Sequence, residues 1–239
     1  MRYVDTGRLI SGETHPDVKV TGVDLMPIQP TWTYPNVVFE TDDIEKNWTY
    51  PKNHFDFFHS RHLGMSIRGW RRYAAQFFAH IKLGGWVELS EHTLDPLYCD
   101  DDTLKEDSSL SLYYRVFRKS LELSGLDPGL SAEGLMQVLR EAGSVDVSHR
   151  MYKNPWVPWP RNKRAKYLGA VAAECIKTRL EAYGMNLMTK VGEMEENEAA
   201  SIMEDAVREV RSGKVHGYHN QWQITGRKPV EGRRFDGVD

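Results

Sequence analysis

The chain has 239 residues, a formal net charge of −3 at pH 7 and two cysteines. This charge provides no broad basic surface for nucleic acid, and two cysteines are too few for a disulfide framework. No apolar run has the length of a membrane span. We therefore expect one soluble domain in a reducing compartment such as the cytoplasm, with no nucleic-acid or membrane partner.

Residues 1–17 predict a degenerate first strand and turn. Met1–Gly7 has the pattern of a short strand that runs into a turn, but only one further glycine precedes Val18. A parallel crossover with its helix ordinarily takes at least about a dozen residues. The first strand and the first helix are therefore predicted to be truncated. Three explanations remain open: an incomplete start, weakened cofactor binding, or loss of the reaction that the fold normally performs.

Residues 18–92 alternate short apolar segments with acidic turns, a pattern typical of a buried parallel sheet in an α/β fold. The predicted helix is Trp70–Leu83, ended by Gly84 and Gly85. The predicted strands are Val18–Asp24, Val37–Asp43, Phe55–Arg61 and Trp86–Ser90. Because open α/β sheets bind ligands at the carboxyl ends of their strands, the acidic residues at these ends are candidate ligand contacts.

The second half of the chain predicts helices around the same sheet. Residues 93–130 and 155–213 have helical spacing of apolar residues and are expected to cover the pocket. The basic cluster Arg161–Lys166 indicates the start of a solvated helix, and Ser131 is the expected N-cap of another. Val145–Tyr152 predicts a sixth strand, and residues 214–229 contain the last strand, His219–Arg227.

Four motifs in this order resemble the class I S-adenosylmethionine-dependent methyltransferases, in particular the fungal LaeA-like (TAM-type) group. Gly22-Val-Asp-Leu25 precedes Pro27-Ile-Gln-Pro30, and an acidic segment follows with Asp42, Asp43, Glu45 and Trp48. The remaining two motifs are Phe55–Arg61 and Gly84–Glu88. The resemblance implies a Rossmann-like, mostly parallel sheet with an antiparallel last strand, and S-adenosyl-L-methionine as cofactor. Because the group includes nuclear regulators, it also leaves a nuclear location and a regulatory protein partner open.

Cofactor contacts are predicted at the ends of three strands. An Asp that closes the second strand of a nucleotide-binding fold can accept hydrogen bonds from ribose hydroxyls, which suits Asp24. The resemblance implies that an Asp after the third strand accepts from the adenine amino group beside a hydrophobic residue. The alternative is that Asp42 and Asp43 only cap the turn that begins at Ile44. The predicted cofactor-binding residues are Asp24, Leu25, Asp42, Asp43, Ile44, Ser60 and Arg61.

The catalytic residues stay unassigned at this stage, and no metal site is predicted. His59, His62 and His92 are weak candidates, because imidazole titrates near neutral pH and can remove a proton from an acceptor. A hydrophobic substrate chamber is one interpretation of a set of aromatic residues and methionines, and ordinary core packing is the other. This set comprises Tyr113, Trp156, Trp159, Tyr183, Met185, Met188 and Met203.

The resemblance favours an S-adenosylmethionine-dependent methyltransferase that acts on a small-molecule acceptor of secondary metabolism. Two alternatives are a catalytically silent, LaeA-like regulatory subunit and a cofactor-independent cyclase on the same fold. Binding of the cofactor separates the first hypothesis from the other two.

Overall fold

The computed structural model describes residues 2–5, 15–27, 32–92 and 97–230, with the backbone alone for residues 2–5. Within these ranges the strands are β1 (Arg2–Asp5), β2 (Lys19–Asp24), β3 (Val37–Thr41), β4 (Phe55–Arg61), β5 (Ile81–His92), β6 (Val145–Pro155) and β7 (Tyr218–Arg227). The helices are α1 (Trp70–His80), α2 (Ser109–Leu123), α3 (Ala132–Glu141), α4 (Lys163–Asn186) and α5 (Glu196–Arg211). A π-helical turn, Leu187–Val191, follows α4.

The strands form a single sheet in the order β3-β2-β1-β4-β5-β7-β6. All pairings from β3 to β5 are parallel, whereas β7 runs antiparallel to both β5 and β6. This confirms the predicted α/β sheet, mostly parallel with an antiparallel last strand. Because β7 is reversed, its first residues lie at the same edge as the carboxyl ends of β4 and β5.

The first strand is present but short. It pairs with β2 and β4, and Asp5 lies beside Gly22 on one side and His59 on the other. The predicted truncation of the first helix falls largely on residues 6–14, which lie outside the described residues.

The boundary between α1 and β5 differs from the prediction. The helix ends at His80, and Ile81 is already extended (φ −73°, ψ 140°) and pairs with Phe55. The expected helix end at Gly84 and Gly85 is wrong, because both glycines lie inside β5. A Cβ atom at Gly85 would lie 2.6 Å from Cγ2 of Ile81 and 2.9 Å from the Asp56 carbonyl oxygen. Glycine is therefore needed there for the close approach of strands.

Side chains that accept hydrogen bonds set the starts of α2, α3 and α4. Ser131 caps α3, as predicted, and its Oγ accepts from the N–H of Gly134. Within the predicted helical region 93–130, helix α2 begins after Ser108, whose Oγ accepts from the N–H of Ser111. Asn162 caps α4, so the basic cluster lies at the start of that helix as expected.

Two hydrophobic cores hold these elements together. Helices α1 and α3 pack on one face of the sheet, with Phe77 and Leu135 fully buried against Leu89 of β5. Helices α2, α4 and α5 form a second core beyond the strand ends, which buries Met188 and Met203. None of the helices within the described ranges combines the length and apolarity needed to cross a membrane.

Candidate functional site

Three carboxylates converge where β2 and β3 end. Asp24 lies beside Thr41 in the parallel register, and the N–H of Asp42 donates to the Asp24 carbonyl at 3.0 Å. Asp24, Asp42 and Asp43 line one cavity of about 290 Å³, together with residues from the end of β2 and from the loops that follow β2, β3 and β4. The described lining also includes Val23, Leu25, Ile44, Glu45, Leu63, Ser66, Ile67 and Arg68. We call this space the acidic cavity.

The carboxylates also fix the turns around them. Asp24 Oδ1 accepts from the N–H of Met26 at 2.9 Å, and Asp43 Oδ1 accepts from the N–H of Glu45 at 3.0 Å. Asp42 Oδ1 accepts from the N–H of Asp43 at 2.8 Å. Asp43 therefore caps the turn that begins at Ile44, whereas the Asp42 carboxylate binds the N–H of the next residue. Because an ionised carboxylate has about four acceptor positions, capping does not exhaust its capacity for a ligand.

Trp48 fixes the position of Ile44 in the cavity wall. Its Nε1 donates to the Ile44 carbonyl at 3.0 Å, and its ring packs on Phe58 with the centroids 5.5 Å apart. The backbone N–H of Trp48 donates to Gln76 of α1 at 2.9 Å. The tryptophan of the acidic motif therefore anchors the turn after β3 to the sheet and to α1.

Glu45 connects the acidic turn to the start of α1. Its Oε1 accepts from the N–H groups of Arg68 at 2.8 Å and Gly69 at 3.2 Å. Gly69 is the N-cap of α1 and has no side chain to satisfy these donors, so a carboxylate from a distant segment does so. Sequence reasoning recorded Glu45 as a motif match and assigned it no role.

Ser60 and Arg61 lie at the end of β4 and are not among the described residues that line the acidic cavity. Ser60 is fully buried and lies beside the buried hydroxyl of Tyr73. Burial raises the pKa of Tyr73, and its contact with Ser60 opposes this shift. A cofactor role for Ser60 and Arg61 stays a prediction.

The loop after β4 is held by Glu91 of β5. Glu91 is fully buried, and its carboxylate accepts from the N–H of Leu63 at 2.8 Å and from that of Gly64 at 3.1 Å. Burial raises the pKa of Glu91 to about 7, although the two backbone hydrogen bonds oppose this shift. We refer to residues 62–68 as the β4 loop.

Three histidines lie close together where β4 and β5 end and β7 begins. The ring centroids of His62 and His92 are 4.8 Å apart, and those of His92 and His219 are 5.0 Å apart. His62 follows β4, His92 ends β5 and His219 lies near the start of β7. His62 has a φ of 56°, uncommon for a residue other than glycine, and its Nε2 lies 3.2 Å from Oε1 of Gln221.

Sequence reasoning missed His219. The signal that could have found it is the antiparallel direction of the last strand, which brings the first residues of that strand to the ligand-binding edge. The Nδ1 atom of His219 accepts a hydrogen bond from Nε1 of Trp156 at 2.9 Å, so its position is fixed.

Two of these histidines are held neutral. Burial lowers the pKa of His219 to about 3, and the charge of Arg179 acts in the same direction. Burial also lowers the pKa of His92 well below its ordinary value, with smaller contributions from His219, His62 and Arg179. Both imidazoles are therefore uncharged at neutral pH and able to accept a hydrogen bond, although they are weak bases.

His59 is placed differently from the other two candidates. Its Nδ1 lies 3.0 Å from Oε1 of Glu88 on the neighbouring strand, and the residue is nearly buried. It is not among the described residues that line the cavity beside the three histidines. A catalytic role for His59 has no support from this arrangement and stays a prediction.

The histidines border an aromatic cavity and a wider groove. The inner cavity, about 40 Å³, is lined by Met65, His92, Tyr113, Tyr114, Phe117, Trp156, Arg179, Leu180, Tyr183 and His219. A groove of about 690 Å³ along α4 shares Arg179, Tyr183 and His219 with it and also contacts His62. We call the two spaces together the aromatic chamber.

The predicted hydrophobic chamber is thus only partly made by the expected residues. Tyr113, Trp156 and Tyr183 line it. Met188 and Met203 are buried in the core between α2, α4 and α5. Their assignment to the chamber is wrong, because the helices on both sides of them close over their side chains.

The β4 loop separates the two spaces. Leu63, Ser66 and Ile67 contact the acidic cavity, whereas His62 and Met65 contact the aromatic chamber. One short loop, fastened at one end by Glu91 and at the other by Glu45, therefore forms a common wall. The acidic cavity and the aromatic chamber are therefore neighbours, one on each side of this loop.

Known proteins are similar to this chain in sequence and in fold. A family model described as "Methyltransferase domain" matches residues 8–185. The methyltransferase pytC of Aspergillus terreus is 33% identical over 221 residues, which cover 91% of this chain and 67% of that protein. The secondary metabolism regulator LAE1 of Cochliobolus heterostrophus is 30% identical over 218 residues, 90% of this chain and 70% of that protein.

Solved structures agree on the fold at low identity. Phosphoethanolamine N-methyltransferase 2 of Haemonchus contortus, in complex with S-adenosyl-L-methionine, has a TM-score of 0.54 at 14% identity and covers 96% of this chain and 49% of that chain. The [4+2]-cyclase SpnF has a TM-score of 0.53 at 17% identity, covering 96% and 75%. The family match extends over more than half of the sequence. The chain therefore belongs to the methyltransferase domain family, on a sheet of the class I, Rossmann-like type.

Proposed function

We propose that the chain binds S-adenosylmethionine in the acidic cavity and transfers its methyl group to a small-molecule acceptor in the aromatic chamber. The single observation that carries the proposal is the β4 loop, which contributes residues to both spaces. The names of the relatives, a methyltransferase and a regulator of secondary metabolism, support an acceptor from secondary metabolism.

The residues of the acidic cavity fit the adenosine part of the cofactor. Asp24 at the end of β2 is suited to accept from ribose hydroxyls, and Asp43 from the adenine amino group. Leu25 and Ile44 offer apolar surface to the flat base. Asp42 lines the same cavity and adds a third acceptor. The cavity volume of about 290 Å³ is near the lower end of the range for ligand pockets.

S-adenosylmethionine supplies a methyl group that is electrophilic because it is bonded to a sulfonium. The contribution of the chain is to align the acceptor and to exclude water, which supplies much of the rate in such displacements. His62 and His92 border the aromatic chamber and are placed to contact the acceptor. Because burial lowers the pKa of His92 well below its ordinary value, His92 is a weak base and is suited to accept a hydrogen bond from an acceptor hydroxyl.

Calorimetric titration with S-adenosylmethionine tests the proposal. We expect micromolar binding to the wild type and a loss of about tenfold or more in Asp24→Asn, because a charge-assisted hydrogen bond becomes a neutral one. Asp107→Asn is the matched control, since Asp107 is exposed and precedes α2, away from the acidic cavity. Absence of binding to the wild type would overturn the proposal and leave the catalytically silent subunit and the cofactor-independent cyclase.

A further inference from the structure

Arg179 of α4 carries the only permanent charge among the described residues that line the inner cavity. The other described lining residues are aromatic, aliphatic or histidine side chains. The guanidinium carbon of Arg179 lies 5.6 Å from the ring centroid of Trp156, which is cation–π geometry. A cation in such surroundings is favourably placed to bind an anion, because the nearby apolar groups reduce screening by water.

No ion pair joins Arg179 to a carboxylate of the described residues. The contrast with its own helix is direct, because Lys177 pairs with Glu181 at 3.6 Å. Arginines on the two neighbouring helices are also paired, Arg118 with Glu122 and Arg208 with Asp205. The charge of Arg179 is thus directed to the cavity instead of being neutralised by the protein.

The walls around this charge are aromatic. Tyr113 stacks on Phe117 with the centroids 5.6 Å apart, and Tyr114 lies 5.6 Å from Trp156. The Nδ1 atom of His92 is buried and has no hydrogen-bond partner in the described part of the chain. An unsatisfied buried nitrogen costs free energy that a ligand with an oxygen or hydroxyl group can recover.

The groove beside Arg179 is open and mostly apolar, and its polar lining includes Glu174, Asn154, Thr178 and Gln221. Leu168 and Val171 on α4 line it and are 43% and 47% exposed, although they are large hydrophobic side chains. Ala172, Cys175 and Ala182 continue the same face of the helix. The inner cavity accommodates a small polar group, and the groove accommodates a larger apolar body.

We propose that the acceptor is a planar aromatic molecule with an acidic oxygen group, bound as its anion against Arg179, with its apolar part along α4. The identification of this molecule as the methyl acceptor rests on the proposed function, but the anion site itself depends only on the aromatic chamber. A carboxylate or an ionised phenol satisfies the same chemistry. Arg179 is then a specificity-determining residue, because a neutral analogue leaves the guanidinium without its partner.

The test uses two probes of equal shape, 2-naphthoate and 2-naphthamide, titrated by calorimetry into the full chain with and without S-adenosylhomocysteine. The wild type is expected to prefer the naphthoate by about tenfold or more. In Arg179→Met this preference falls to about twofold or less, whereas Arg179→Lys retains part of it because the charge is kept. Arg164→Met, the same change at an exposed position of α4, leaves the preference unchanged.

Equal binding of the two probes to the wild type, including no binding of either, overturns the inference. A preference that survives in Arg179→Met, with the variant shown to be folded by its thermal transition, also overturns it. Failure of the proposed function has a different signature, because S-adenosylmethionine then does not bind while the discrimination between naphthoate and naphthamide persists.

Discussion

The carboxylate of Glu91 accepts a hydrogen bond of 2.8 Å from the backbone N–H of Leu63, and this bond ties β5 to the wall between the two cavities. Burial raises the pKa of Glu91 to about 7 in the folded protein, from an ordinary value of 4.5. Between these two values the folded protein keeps a proton that the unfolded chain has released. The resulting stabilisation is present below the unfolded value and is lost as the pH rises through about 7.

Glu91→Gln removes this titration. From about pH 5 to about pH 8, the wild type should lose about 2 to 3 kcal/mol more unfolding free energy than the variant. Urea unfolding at several pH values measures the difference, and Glu204→Gln, an exposed glutamate on α5, is the control. Parallel pH profiles for wild type and Glu91→Gln would contradict the burial of this carboxylate.

His219 predicts the opposite dependence on pH. Burial lowers the pKa of His219 from its ordinary value of 6.5 to about 3. Between these two pH values the unfolded chain binds a proton on His219 that the folded protein does not bind. The stability is complete above the unfolded pKa and is lost as the pH falls. His219→Asn keeps an acceptor for Trp156 but cannot titrate. On acidification from about pH 7 to about pH 5, we expect it to lose about 2 kcal/mol less than the wild type.

Thermal or urea unfolding at the two pH values measures this effect. His149→Asn is the control, because His149 is exposed on β6 and lies outside the aromatic chamber. If His219→Asn and the wild type lose equal stability in acid, His219 is protonated in the folded protein and the assignment of a neutral cluster fails.

Gly169 lets α4 approach the segment that follows β6. A Cβ atom at this position would lie 2.3 Å from the carbonyl oxygen of Val157 and 3.0 Å from the nitrogen of Pro158. Alanine normally favours a helix over glycine by about 1 kcal/mol. The backbone clash should outweigh this gain, so that Gly169→Ala loses about 1 to 3 kcal/mol of unfolding free energy.

Gly184 of the same helix provides the comparison. A Cβ atom there meets only side-chain atoms, of Met203 and Tyr113, at 3.1 Å. Because side chains can move more easily than backbone, Gly184→Ala should cost less than Gly169→Ala in the same thermal unfolding assay. The reverse order would show that α4 does not pack on Val157 as described.

The sequence predicts the sheet and the acidic cavity because both follow from local pattern. Apolar runs that end in Asp24 and Asp43 indicate parallel strands, and parallel strands end at one edge. The start of β5 was missed because Ile81-Lys-Leu83 continues the helical pattern, whereas pairing with Phe55 makes it a strand. Such a boundary depends on contacts with a distant strand, which the local sequence pattern does not reveal.

Arg179 could not be predicted for a different reason. It lies in α4, a helix of 24 residues with little separation of apolar and polar faces. Which face of such a helix meets the sheet edge depends on packing with α2 and α5. From the sequence alone, a charged residue in this helix is predicted to be exposed to solvent.

A pair of nucleosides that differ only in their ribose hydroxyls tests most directly whether Asp24 accepts hydrogen bonds from a ribose. Displacement of labelled S-adenosylmethionine by adenosine and by 2′,3′-dideoxyadenosine is measured for the wild type and for Asp24→Asn. The wild type should prefer adenosine by about tenfold, and the variant should bind the two nucleosides within about twofold of each other. An equal preference in both proteins, or none in the wild type, would contradict the proposed site.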